Sequence, residues 1–123
     1  MTTKILVVDD SLMVRTQVKR ALGAGFLIVE AVDGVDALEK LTAHPDTALI
    51  ICDVNMPRMD GLDFLEKRAL SPKLSSVPVV MLTTEGQQAM VLRARALGAM
   101  AWLLKPFKPE QLLAVAQKLA QAA

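Results

Sequence analysis

Lys4-Ile5-Leu6-Val7-Val8-Asp9-Asp10-Ser11 is the stretch that decides the fold. Its four consecutive apolar residues are rich in β-branched side chains and show no polar alternation, so the strand they form needs cover on both faces. Two acids end that strand. Ser11 then stands where a helix N-cap belongs, ahead of Val14, Val18, Ala21 and Leu22 at helical spacing. Gly23 stops the helix. A buried strand feeding directly into an amphipathic helix is the start of a βαβ unit.

The unit recurs along the chain. Phe26–Ala31 reads as a second strand closed by Asp33-Gly34, and a helix with Ala37, Leu38 and Leu41 inward ends near His44-Pro45. Residues 48–52 form a third buried strand, followed after a loop by a helix over about 62–70. Residues 77–82 read as the fourth strand, with Pro78 tolerable only near its start. Residues 87–97 are helical with Gly98 as the cap, and 101–104 form the fifth and shortest strand. The last helix starts near Pro109 and turns Leu112, Val115, Ala116 and Leu119 inward. Five strands alternating with five helices predict a doubly wound α/β fold around a parallel sheet with right-handed crossovers. In such sheets the functional side chains collect at the carboxyl ends of the strands.

Composition narrows the function classes. At 123 residues the chain is the size of one domain, and 53% hydrophobic content excludes disorder. A formal net charge of +1 argues against a coat for nucleic acid or anionic membrane. No apolar run approaches the ~18 residues of a membrane span. The opening residues turn acidic too soon, at Asp9, for a signal peptide. Cys52 is the only cysteine and His44 the only histidine, so disulfide and zinc frameworks are excluded. Cys52 reads as a buried inert thiol, and the expected compartment is the cytoplasm. Arg15, Lys19 and Arg20 read as a solvated helix face.

The chemistry lies at four strand ends: Asp9-Asp10, Asp53, Thr83-Thr84 and Lys105-Pro106. Three carboxylates converging on one sheet edge repel one another, and a single lysine does not neutralise them. A hard divalent cation does, and an all-oxygen donor set suits Mg²⁺. A carboxylate is also a competent nucleophile toward phosphorus. Phosphoryl transfer needs in-line positioning and charge neutralisation at the equatorial oxygens, which Mg²⁺, a Thr83 hydroxyl and the Lys105 ammonium would supply. Thr84 competes with Thr83 for the hydroxyl role; Thr83 is favoured because it directly follows the strand.

This set resembles the response-regulator receiver domains of two-component signalling. Asp53-Val54-Asn55-Met56-Pro57-Arg58-Met59-Asp60-Gly61 matches that family's loop after the phosphorylated aspartate, and Ala31-Val32-Asp33-Gly34 and Gly98-Ala99 are also family-like. The resemblance covers residues 1–123 as a single receiver domain, and Asn55 and Glu85 match the stand-alone chemotaxis type. It implies a flavodoxin-like fold with strand order 2-1-3-4-5. It implies Asp53 as phosphoacceptor from a sensor histidine kinase or phosphotransfer protein. Mg²⁺ would be held by Asp10, Asp53 and the Asn55 backbone carbonyl, with Asp9 acting through water. Thr83 and Lys105 would bind the phosphoryl group, Asn55 and Glu85 would tune dephosphorylation, and Lys105-Pro106 would be cis. The protein would be no conventional enzyme, catalysing only its own phosphorylation and dephosphorylation, as a monomer or weak dimer.

The signalling face implied is helix 4, strand 5 and helix 5. Past Glu85 the basic residues Arg93, Arg95, Lys105, Lys108 and Lys118 face a single acid, Glu110, which would suit an acidic target segment. Trp102 stands where the chemotaxis type usually has tyrosine, so the aromatic switch is the point of departure. A phosphate sink or relay carrier without its own target is the alternative within the class. Outside it stand an aspartyl-phosphate phosphatase of the haloacid-dehalogenase type, which needs Asp-x-Asp after strand one, and a flavin binder, which needs a phosphate loop there. Asp9-Asp10-Ser11 supplies neither.

Overall fold

The structure is a computed structural model and describes residues 2–120, so Met1 and 121–123 of the expected domain lie outside it. Five parallel strands, β1 (Thr3–Val8), β2 (Phe26–Ala31), β3 (Thr47–Cys52), β4 (Val79–Thr83) and β5 (Ala99–Leu104), form one sheet in the order β2-β1-β3-β4-β5. Five helices connect and follow them: α1 (Leu12–Leu22), α2 (Gly34–Ala43), α3 (Gly61–Ala69), α4 (Gln88–Ala96) and α5 (Pro109–Ala120). A 3₁₀ turn, Gly23–Gly25, and a single helical turn, Pro72–Ser75, are additions to the predicted five helices. Pro72 in the first helical position explains the second, because its missing N–H costs nothing there.

The unbroken apolar runs are explained by two cores. Leu6, Val8, Ile50, Cys52, Val79 and Met81 pack against Ala37, Leu41, Leu62, Phe64, Leu65 and Ala94 of α2, α3 and α4. Their strand neighbours Ile5, Val7, Leu49, Ile51, Val80 and Leu82 pack on the other face against Val18, Leu22, Leu112 and Ala116 of α1 and α5. Alternate residues thus serve opposite layers, which removes the usual polar half of the strand pattern.

Caps set the helix starts. Ser11, Asp33 and Asp60 each accept the N–H three residues on, at 3.3, 2.8 and 2.8 Å. Two strand readings are corrected. β5 runs from Ala99, six residues long, and β4 with five is the shortest strand. Gly98 at φ +103° turns the chain straight from α4 into β5, so small residues of low strand propensity join the ladder. Pro78 precedes β4 rather than opening it, and its carbonyl accepts from the Ile50 N–H at 2.9 Å. Val115 and Leu119 are half-buried, while Ala120 joins the α5 core residues.

Arg68, in the last turn of α3, is 2% exposed. Its guanidinium donates to the carbonyls of Leu97 (3.2 Å), Ser75 (3.0 Å) and Val77 (2.6 Å), joining α3 to the end of α4 and the approach to β4. Desolvation lowers its pKa, and Nε has no partner. Arg68→Met keeps the apolar stem and orphans these carbonyls. Of the three bonds only the one to Val77 is buried, so a loss of about 2 kcal/mol is expected, within the roughly 1–3 of one unsatisfied buried group. An unchanged urea midpoint would show that the three carbonyls find other partners.

Candidate functional site

Parallel pairing delivers the acids to one edge. Val8 is in register with Cys52 and Thr83 with Leu104, so Asp9, Asp53 and Lys105 each follow a paired residue directly. The ladder continues through them: Asp9 N–H donates to Ala31, Asp53 N–H to Val8 and Lys105 N–H to Thr83, at 3.0, 3.0 and 2.9 Å. Carboxylate oxygens of Asp9, Asp10 and Asp53 lie within 4.8 Å of one another, with Asp9 and Asp53 buried and Asp10 exposed.

Lys105 Nζ reaches into this group, 2.7 Å from Asp9 Oδ2 and 3.1 Å from Asp53 Oδ2. Main-chain N–H groups take the other oxygens: Ser11 donates to Asp9 Oδ1 at 2.9 Å and Val54 to Asp53 Oδ1 at 2.7 Å. Burial pushes the Asp9 carboxyl up, against the opposing hydrogen bond from Lys105. Burial would also pull the Lys105 ammonium down, but its hydrogen bonds to Asp9 and Asp53 outweigh that and hold it up. Both groups retain their protons more strongly than usual. Three clustered carboxylates sharing one lysine are a fitting donor set for a hard cation.

Around the acids the other expected residues form one chain of contacts. Asn55 Nδ2 donates to Glu85 Oε1 at 2.7 Å. The Glu85 N–H donates to Thr83 Oγ1 at 3.2 Å, and its carbonyl accepts from Trp102 Nε1 at 2.8 Å. Glu85 thus joins β3's loop, β4's end and the indole on β5. Thr83 is fully buried, whereas Thr84 is exposed and lines a groove of about 590 Å³ with Val14, Lys105 and Phe107. The Lys105-Pro106 bond is cis. Cys52 is buried, and desolvation raises its thiol well above the ordinary range, consistent with an inert group.

Two expectations about cations are corrected. Arg15 is no solvated residue: it donates to the Asp9 carbonyl at 2.7 Å and to Glu30 Oε1 at 2.9 Å. Arg15 lies six positions beyond Asp9, and the helix turn between them folds the side chain back over the acid loop. Arg93, though exposed, is engaged by Asp63 (3.4 Å) and Glu66 (2.5 Å) of α3, while Arg95, Lys108 and Lys118 are also exposed on the α4–β5–α5 face. Sequence reading also missed Arg58, whose guanidinium forks onto Asp33 across two loops.

Comparison with known proteins follows this geometry. The response regulator receiver domain family matches residues 5–117. Chemotaxis protein CheY1 of Helicobacter pylori is 42% identical over 111 residues, covering 89% of this chain and 90% of that protein. Chemotaxis protein CheY4 of Vibrio cholerae superposes with a TM-score of 0.88 at 38% identity, over 97% of this chain and 99% of that one. CheY of Borrelia burgdorferi, solved as a CheX–CheY–BeF₃–Mg²⁺ complex, gives 0.86 at 28% identity, over 94% and 88%. No helix among the described residues is long and apolar enough to cross a membrane. An acidic cluster with two buried members bridged by lysine, on a sheet of this order, and a family match over nearly the whole chain agree: this chain belongs to the response regulator receiver domain family, as a receiver domain and not a conventional enzyme.

Proposed function

We propose that the chain is a single-domain, chemotaxis-type response regulator acting in the cytoplasm, phosphorylated on Asp53 by a sensor histidine kinase or phosphotransfer protein with Mg²⁺. The observation that carries it is the meeting of Asp9, Asp10 and Asp53 with Lys105 at one sheet edge. Asp10, Asp53 and the Asn55 carbonyl would hold Mg²⁺, with Asp9 joined through water. Bound there, the ion would neutralise phosphoryl oxygens that otherwise repel the carboxylates.

An Asp53 carboxylate oxygen forms the new O–P bond as the donor's P–N bond breaks and the electron pair returns to the imidazole. Val54 N–H fixes Asp53 Oδ1, so the carboxylate is oriented before the donor arrives. Lys105 moves from its carboxylates to a phosphoryl oxygen, and Thr83 Oγ1 donates to another. Dephosphorylation is attack by water at phosphorus, which restores the Asp53 carboxylate and releases inorganic phosphate. Asn55 and Glu85, hydrogen-bonded to each other, would flank that water's approach.

Once Thr83 turns to the phosphoryl group, its bond to the Glu85 N–H is broken, and Glu85 also holds the indole. Trp102 therefore reports the switch. The output is the α4–β5–α5 face, where Arg95, Lys108 and Lys118 suit an acidic target segment. Beryllofluoride, which stands in for the phosphoryl group, is expected to change tryptophan emission when Mg²⁺ is present, and to leave Asp53→Asn unchanged. Identical responses of the two proteins would remove Asp53 from the reading. A flat spectrum beside bound beryllofluoride would uncouple Trp102 from it.

A further inference from the structure

The acceptor loop, residues 53–60, is pinned at both ends. At its base the Gly61 N–H donates to the Val54 carbonyl at 2.8 Å. At its tip the Met59 N–H donates to the Pro57 carbonyl at 2.7 Å, closing a three-residue turn around Arg58. Arg58 has φ +64°, the only positive φ at a non-glycine among the described residues. That is the sense of the rarer, strained γ-turn, and a long side chain adopts it only where its surroundings compel it.

The compelling contacts come from the β2–α2 loop. Arg58 Nε donates to Asp33 Oδ2 at 2.7 Å and Nη2 to Oδ1 at 3.1 Å, a two-pronged charge-assisted pair. The hydrogen bonds from Arg58 hold the Asp33 carboxyl below its usual value. Beside it the Gly34 N–H donates to the Met59 carbonyl at 2.8 Å, and a Cβ at Gly34 would sit 2.6 Å from Met59 Cγ. Asp33 is buried and fixed as the N-cap of α2. The strained tip is therefore tied to a rigid helix start.

We propose that Arg58 is a positioning residue for phosphorylation: its fork onto Asp33 latches the acceptor loop, and so places the Asn55 carbonyl and the Asp53 carboxylate that flank it. This rests on the assignment of Asp53 as phosphoacceptor and Asn55 as a metal ligand. Arg58 touches neither reacting atoms nor metal. It acts through the four residues between it and Asp53, much as outer partners orient metal ligands elsewhere.

Two substitutions remove the latch by different routes. Arg58→Gly deletes the fork and relieves the positive φ. Asp33→Ser keeps an N-cap for α2 but is too short to reach the guanidinium. With Mg²⁺ as the titrant in calorimetry, each is expected to weaken affinity about 10-fold, and the double variant no further, because either change alone opens the latch. Backbone amide exchange over 55–59 should quicken in all three, while the urea midpoint stays near wild type. Wild-type Mg²⁺ affinity in either single variant, or additive losses in the double, would overturn the latch. Wild-type protein that bound Mg²⁺ but took phosphate at another residue would overturn the assignment of Asp53 beneath it, a failure visible before any variant is made.

Discussion

Asp53→Asn is expected to take up no base-labile phosphate from acetyl phosphate in Mg²⁺, under conditions where the wild-type chain is labelled. An amide nitrogen and carbonyl replace the two carboxylate oxygens, so no anionic nucleophile remains. Neighbouring acids do not substitute. Asp9 is buried, tied to the Ser11 N–H and to Lys105, and burial favours its protonated form. Asp10 is exposed and is reserved for the metal in this reading. The fold should persist, because Asp53 contributes its main-chain N–H, not its side chain, to the sheet ladder. Mass measurement of the intact protein after acetyl phosphate treatment reads the result directly. Labelling of the variant at the wild-type rate would move the acceptor elsewhere.

Gly61→Ala is expected to lower stability by about 3 kcal/mol or more, at the upper end of overpacking costs. A Cβ built there overlaps the Asp53 carbonyl oxygen and lies 2.9 Å from its carbon and 3.1 Å from Val54 Cα. All three atoms are backbone, so no rotamer change relieves the overlap. The sign is diagnostic, because alanine would favour a helix over glycine by about 1 kcal/mol if space were the only thing ignored. Relief requires α3 to move away from β3 or the Asp53 peptide to tilt, and the second displaces the Asp53 carboxylate. Urea unfolding gives the stability, and the labelling rate of the folded variant gives the displacement. A variant as stable as wild type would mean that α3 does not start against Asp53.

The proposed phosphoacceptor and close packing meet at this peptide, and their legibility in the chain differs. Strand ends marked by Asp9-Asp10, Asp53, Thr83 and Lys105 were readable because apolar runs fix where strands stop and parallel pairing fixes which ends meet. The cap at Ser11 was readable for a similar local reason. The glycine at 61 was visible as a motif residue, but the overlap that requires it involves a backbone eight residues away.

Charge roles were the least legible. Arg15 and Arg93 carry the same formal charge as any surface arginine, and nothing in their neighbours in the chain names Asp9, Glu30, Asp63 or Glu66 as partners. Arg68 reads as an ordinary last-turn cation of α3, yet it lies inside, holding three carbonyls from two later segments. A long flexible side chain can reach several ångströms in many directions, so its partner is selected by packing. Trp102 is intermediate. Its strand could be read, but its hydrogen bond to Glu85 depends on how the β4–α4 loop lies over β5.

By itself the sequence determined the alternation of strands and helices, the two-faced burial of the sheet and the identity of the acidic site. Each of these follows from periodicity or from strand ends, which are local properties repeated along a regular backbone. Only the tertiary structure decided which cations pair with which acids, that Arg58 is bent back onto Asp33, and that Glu85 links Asn55, Thr83 and Trp102. Those contacts join loops far apart in the chain, and their geometry exists only once the sheet has set the distances between its edges.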